Sequence, residues 1–240
     1  MIQMISCASM KPWFPRWNVN GVSLLVQTNK GPVLIDTGLG IHDYETPSNM
    51  VKFFRADFGI EYKPQEALRR QIQQYGYSTG DIKNIIVTHL HFDHAGGLPD
   101  FPEAVIHIHR REYEALLHSR RLMERLAYDP LDFLHNPHWE IYEKPDCKWF
   151  DFNAIRLDFE PEMYLIPLFG HTSGHCGVAI RSEDGWVFYC ADALPTNAQF
   201  DIVPLWVSNL VLGHWVPRLQ QFSIDHPEVK LIAGHSMTRR

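Results

Sequence analysis

A layered α/β domain is the fold class this sequence predicts, and three observations predict it. Strand-like runs alternate with helix-like stretches along the chain. Four of those runs close on a polar turn, at His89–His94, His171, Asp192 and His235. No linker and no internal repeat interrupts the series, so residues 1–240 read as a single domain, with 128–150 as a candidate lid or insert. A content of 45% hydrophobic and 21% charged residues gives 240 residues ample material for one large core.

Residues 21–28 read as a strand; Asn29-Lys30-Gly31-Pro32 turns the chain, and Val33-Leu34-Ile35 returns as a second strand into Asp36-Thr37-Gly38. Thr46 is the expected N-cap, and Pro47 the first residue, of a helix carrying Met50, Val51, Phe53 and Phe54 and ending near Gly59. Pro64 opens a second helix through Tyr75, closed by Gly76. Ile85-Ile86-Val87 is a β-branched, buried strand. Residues 104–109 alternate as a strand with His107 and His109 on one face, read as packing residues. Residues 112–127 form a charged amphipathic helix, expected as a solvated cover. Residues 128–150 are the least patterned stretch, either a flap that walls a pocket with aromatics or a surface loop packing its own.

Residues 154–159 and 163–168 read as a strand pair leading to His171. Residues 176–181 and 186–190 form a hairpin across Glu183-Asp184-Gly185, ending at Asp192. Residues 205–222 read as a helix interrupted at Gly213 and Pro217, with His214 and Trp215 as packing residues. The last strand ends at Gly234-His235-Ser236.

The chemistry concentrates in Thr88-His89-Leu90-His91-Phe92-Asp93-His94-Ala95-Gly96-Gly97. Three histidines and a carboxylate share six positions on a turn after a strand, and the glycine pair lets the backbone turn sharply. Neutral imidazole and carboxylate are donors that zinc, iron and manganese accept. Close spacing on a stiff turn gathers them at little entropic cost.

His-x-His-x-Asp-His resembles the signature of the metallo-β-lactamase superfamily. The likeness extends to His171 in Phe169-Gly170-His171-Thr172-Ser173-Gly174-His175, to Asp192, to His235 and to Leu34-Ile35-Asp36-Thr37-Gly38. The resemblance implies a four-layer αββα sandwich and two divalent metal ions, Zn2+ first, with iron and manganese as the alternatives. It implies that His89, His91 and His171 hold one ion, that Asp93, His94 and His235 hold the other, and that Asp192 bridges them. A metal-bridging hydroxide would attack a carbonyl, with Asp93 and Asp192 as catalytic carboxylates and Asp93 passing a proton to the leaving group. Asp36 would orient a ligand from behind, unless it only caps its own turn, and His175 would support the site without binding metal.

Within the superfamily, Asp192 argues against the β-lactamase branches and His91 against the flavin-linked di-iron branch. Neither a helical glutathione domain nor a tRNA exosite is evident. The lactonase-type branch remains, although Pro195 stands where those enzymes often carry a Tyr; Trp139, Tyr142 and Thr196 are the candidate substitutes at the substrate pocket. The expected function is hydrolysis of a lactone or other carboxylic ester. The alternatives are a phosphodiesterase acting on a small substrate, a metal-bound binding or sensing module with little turnover, and a redox protein with two irons.

A net charge of −6 without a basic stripe argues for a small-molecule substrate and against nucleic acid. No apolar run approaches a membrane span of about 20 residues, and no secretory signal opens the chain. Four scattered cysteines (Cys7, Cys147, Cys176, Cys190) suit a reducing cytoplasm, with Cys176 and Cys190 as core thiols. A homodimer is an allowed assembly.

Overall fold

The computed structural model describes residues 1–13, 17–119, 121–194 and 214–239. Two sheets lie face to face. The first orders β1 (Ile2–Met10), β2 (Trp17–Thr28), β3 (Gly31–Ile35), β4 (Asn84–Ile86), β5 (Val105–His109) and β6 (His138–Tyr142), with β13 (His235–Arg239) paired to the start of β2. The second orders β12 (Val229–Ala233), β11 (Gly185–Ala191), β10 (Cys176–Ser182), β9 (Met163–Pro167), β8 (Phe152–Leu157) and β7 (Cys147–Trp149). Strands β3 to β6 run parallel, as does the β11–β12 pair; the other pairings are antiparallel.

The period-2 alternation of side chains sorts each strand between two cores. Val22, Leu24 and Val26 of β2 face Val178 and Ile180 of β10 and Val187 and Tyr189 of β11 across the sheet–sheet interface. Leu25 and Leu34 point the other way, into a core with Leu68, Ile72, Phe101 and Ala115. Ala179, Phe188 and Cys190 leave the sandwich on the far side and meet Leu219 and Phe222 of α7 (Val216–Asp225). Ala115 belongs to α5 (Arg110–His118), so the layers run helix, sheet, sheet, helix, the expected αββα order.

Several local expectations are corrected. Ser48, not Thr46, caps α2 (Asn49–Phe58), its Oγ accepting from Val51 N at 3.1 Å, while Gly59 takes the left-handed cap at φ 62°. The helix expected from Pro64 is broken into a single turn Pro64–Glu66, α3 (Leu68–Gln71) and a 3-10 turn Ile72–Tyr75. Residues 128–150, expected to be unpatterned, hold a 3-10 turn (Pro130–Phe133) and strands β6 and β7, the outer strands of the two sheets. β6 escaped notice because its burial is only partial along its length. Pro217 sits in the first turn of α7, where its missing N–H is harmless, and so starts that helix instead of interrupting it. Beyond His235 the chain continues as β13. The part of the expected 205–222 helix before residue 214, with its break at Gly213, lies outside the described residues. Among the described residues no helix is long and apolar enough to cross a membrane.

Candidate metal centre

The site grows from strand ends along one edge of the sandwich. After β3 the backbone enters the left-handed region at Asp36 (φ 57°), which turns its fully buried carboxylate toward the His-rich turn after β4. Asp36 Oδ1 accepts Thr88 N at 2.8 Å, and Oδ2 accepts Thr88 Oγ1 at 2.8 Å and Tyr189 OH at 3.1 Å. Asp36 Oδ2 also lies 2.8 Å from His94 Nδ1, which must donate to it, leaving a lone pair on Nε2. His89 is oriented in the same manner. Thr88 Oγ1 has spent its proton on Asp36, so it accepts from His89 Nδ1 at 3.0 Å, and Nε2 of His89 is left bare.

The short helix α4 (Phe92–Ala95) begins after His91 and divides the remaining donors: His94 is buried, and Asp93 keeps 17% of its side chain exposed. Gly96 and Gly97 do not provide the unusual turn expected of them, since Gly96 has an ordinary φ of −57°. Gly96 is there for close approach: a Cβ would lie 2.3 Å from Asp43 Oδ2.

Three later loops complete the cluster. His171 Nε2 lies 3.0 Å from His91 Nδ1 and 3.4 Å from Asp192 Oδ2. Asp192 Oδ1 lies 3.2 Å from His94 Nε2 and 3.5 Å from His235 Nε2, which is 3.4 Å from Asp93 Oδ2. Gly234 permits that approach, because a Cβ there would stand 2.3 Å from Asp192 Oδ1. His175 is fully buried; its Nδ1 donates to Leu168 O at 3.2 Å and its Nε2 accepts Asp192 N at 3.2 Å, fixing the backbone of Asp192.

Three sets of donor atoms converge, each within 4.8 Å: His89, His91, His171; His89, His94, Asp192; and Asp93, His94, His235. His89 Nε2, His94 Nε2 and Asp192 Oδ1 are buried without a hydrogen bond, an arrangement that is costly unless something else occupies the lone pairs. Donors about 2.0–2.2 Å from a shared ion stand roughly 3.0–3.6 Å apart, as these do. The residues therefore suit divalent cations. Burial, reinforced by His94 and the other neighbouring histidines, holds His89 far below its usual pKa; burial and His171 do the same to His91. Burial also opposes a charge on His94, but Asp192 and Asp93 outweigh it and push the pKa up; a cation would take over that positive charge.

Two residues of the helical cover, expected to face water, prove central. Glu112 is fully buried: Oε1 accepts Leu90 N at 2.9 Å and Tyr128 OH at 2.7 Å, and Oε2 accepts Thr172 Oγ1 at 2.7 Å and Gly174 N at 3.0 Å. Glu124, in α6 (Leu122–Ala127), accepts Ser173 N at 2.9 Å. The signal was available: Glu112 shares a helix face with Ala115 and Leu116, both packed into the core.

Two of the three expected pocket residues make their recorded contacts apart from the cluster. Trp139 packs on Tyr113 and Phe133, and Tyr142 commits its hydroxyl to His107 Nδ1 at 2.9 Å. The structure thus does not bring either to the cluster by any contact seen. Thr196 and Pro195 lie outside the described residues.

A family model for the metallo-beta-lactamase superfamily matches residues 16–227. A probable metallo-hydrolase of Mycobacterium tuberculosis is 39% identical over 180 residues, which are 74% of this chain and 58% of that protein. An N-acyl homoserine lactonase of Bacillus thuringiensis is 30% identical over 186 residues, 74% of this chain and 65% of that protein. The chain thus spans less than two thirds of the length of these relatives. It is also 31% identical to an N-acyl homoserine lactonase of Bacillus cereus over 222 residues, 89% of this chain and 80% of that one. Two solved structures share the fold. The Bacillus thuringiensis AiiA structure with N-decanoyl-L-homoserine at its active site gives a TM-score of 0.72 at 24% identity, covering 98% of this chain and 92% of the other. A probable metal-dependent hydrolase from Staphylococcus aureus gives 0.73 at 19% identity, covering 98% and 89%.

Proposed function

This chain belongs to the metallo-β-lactamase superfamily, and from that premise we propose that it is a metal-dependent hydrolase that opens lactones or cleaves related carboxylic esters. The observation that carries the reading is the convergence of His89, His91, Asp93, His94, His171, Asp192 and His235, with buried donor atoms that no hydrogen bond uses. His89, His91 and His171 would hold one ion, and Asp93, His94 and His235 the other. Asp192 would serve both groups, its Oδ1 lying beside His94 and its Oδ2 beside His171. Zinc is the proposed metal, on the strength of this imidazole-rich donor set. Bound there, divalent cations would supply Lewis acidity, polarising a carbonyl oxygen and lowering the pKa of a water toward about 7.

The chain's own groups do the rest. Asp36 and His175 fix the direction of His94 and Asp192. Asp93, the more exposed carboxylate, can hold a proton at Oδ and deliver it to a departing alkoxide. Both sheets supply donors to one cluster, in keeping with a single domain. The likeness to N-acyl homoserine lactonases supports an ester of the lactone class as substrate. Four unpaired thiols favour a reducing compartment.

The test is metal content by elemental analysis beside hydrolysis of lactone, ester and phosphodiester panels, before and after chelation. About two zinc ions per chain with chelator-sensitive lactone opening is the expected result. Phosphodiester turnover alone would replace the substrate class, and bound metal without turnover would overturn the enzymatic reading.

A further inference from the structure

A second group of converging donors lies outside the strand-end centre. It joins His42 and Asp43, in α1 (Ile41–Glu45), to Asp132 in the 3-10 turn before β6. His42 Nε2 is 3.0 Å from Asp132 Oδ1 and 3.3 Å from Asp43 Oδ1. The side chains of Asp43 and Asp132 are fully buried, and that of His42 is 22% exposed. Asp43 Oδ2 is spent on Gly40 N at 2.8 Å, but Asp43 Oδ1 and Asp132 Oδ2 receive no hydrogen bond. Asp129, 1% exposed, adds a third such oxygen, Oδ2, its other oxygen capping Leu131 N at 3.1 Å. The buried Nδ1 of His135 is unpartnered as well.

Three buried carboxylates around one imidazole are not electrically balanced. Among the described residues no lysine or arginine side chain forms an ion pair with Asp43, Asp129 or Asp132. An uncompensated buried charge is strongly destabilising. A proton or a cation must offset it. Asp132 Oδ1 is hydrogen-bonded to His42 Nε2 at 3.0 Å and Asp43 Oδ1 stands 3.3 Å from the same nitrogen, separations of the size found between donors around a shared ion, and the donor atoms of the three residues lie within 4.8 Å of one another.

We propose that His42, Asp43 and Asp132, backed by Asp129, form a further divalent-cation site. One imidazole with several carboxylates suits a borderline-to-hard ion, Mn2+ or Zn2+. The partly exposed His42 provides the entry. A cation there ties the turn at 129–132 to the loop that follows Asp36. Its reach extends to the His-rich turn, since Asp43 Oδ2 is the atom that packs against Gly96. Burial and the neighbouring Asp132 push Asp43 well above the usual carboxylate range, and burial and Asp129 do the same to Asp132, so a proton is the competing occupant.

The experiment strips the full-length protein of metal, titrates it with Mn2+ or Zn2+ alone, and counts bound ions per chain after dialysis. His42→Ala and Asp132→Asn should each lose one ion, or bind it at least tenfold more weakly, while Asp192→Asn retains that ion. Thermal melting supplies the second readout: Mn2+ should raise the midpoint of Asp192→Asn but not of the Asp132→Asn and Asp192→Asn double variant. His42→Ala removes a partly exposed side chain, so it keeps the test open if Asp132→Asn fails to fold. Equal ion counts in wild type, His42→Ala and Asp132→Asn would overturn the site and leave a protonated carboxylate pair. Failure of the strand-end centre would look different, as metal sensitive to Asp132→Asn and indifferent to Asp192→Asn.

Discussion

Glu112 Oε2 accepts the hydroxyl of Thr172 at 2.7 Å, across 60 residues of sequence. The same carboxylate holds Leu90 N, so one buried side chain locks the loop of His171 to the turn of His89 and His91. Glu112→Ala strands four donors and should cost about 3 kcal/mol, read as a lowered urea midpoint. Glu112→Gln should cost less, because one oxygen can still accept two of them.

Asp36 fixes the ring of His94 and, through Thr88, that of His89. Asp36→Ala should weaken metal binding by roughly 10–100-fold. A competition titration with a chelating dye measures this directly, and unchanged affinity would remove Asp36 from any orienting role.

Gly234→Ala places a methyl 2.3 Å from Asp192 Oδ1. The variant should fold, as judged by circular dichroism, yet lose metal and turnover together. Retained metal would show that Asp192 can retreat.

His107 reports the pH dependence of the first sheet. Its Nε2 donates to Asn84 Oδ1 at 3.0 Å while Nδ1 accepts from Tyr142, so the fold holds the neutral ring. Burial, aided by the charge of Lys30, lowers its pKa from 6.5 to about 4. Between those values the unfolded chain binds the extra proton. Stability from this residue is therefore complete above pH 6.5 and lost as pH falls toward 4, by up to about 3 kcal/mol. Melting temperatures across that window should fall more steeply for wild type than for His107→Gln.

Chelation should destabilise the protein as well as silence it. A ligand present at 100 times its Kd stabilises the native state by about 2.7 kcal/mol, so stripping the metals should lower the melting midpoint by several degrees. Restoring Zn2+ should reverse the shift.

The layers and the strand-end cluster were legible because each rests on local pattern. Ile85-Ile86-Val87 announces a strand, and three histidines in six positions announce a ligand turn. Only the burial of Glu112 was legible, from the helix face it shares with Ala115 and Leu116; the partners of Glu112 and Glu124 arrive from residues 172–174 and leave no local mark. β6 and β7 hid in a proline-rich stretch whose residues are buried only in part. The His42–Asp43–Asp132 group was silent for a related reason: nothing in a linear reading brings position 132 to position 42.

β13 pairs His235 with Gly21 of β2, joining positions some two hundred residues apart. On a ribosome, where domains emerge N-terminal part first, β2 leaves the exit tunnel long before its last neighbour is translated. Its outer edge from Trp17 to Gly21 waits unpaired until residues 235–239 follow, and His235 is the last of the seven donors to emerge. The donors from His89 to Asp192 can thus gather before the one from His235 joins them.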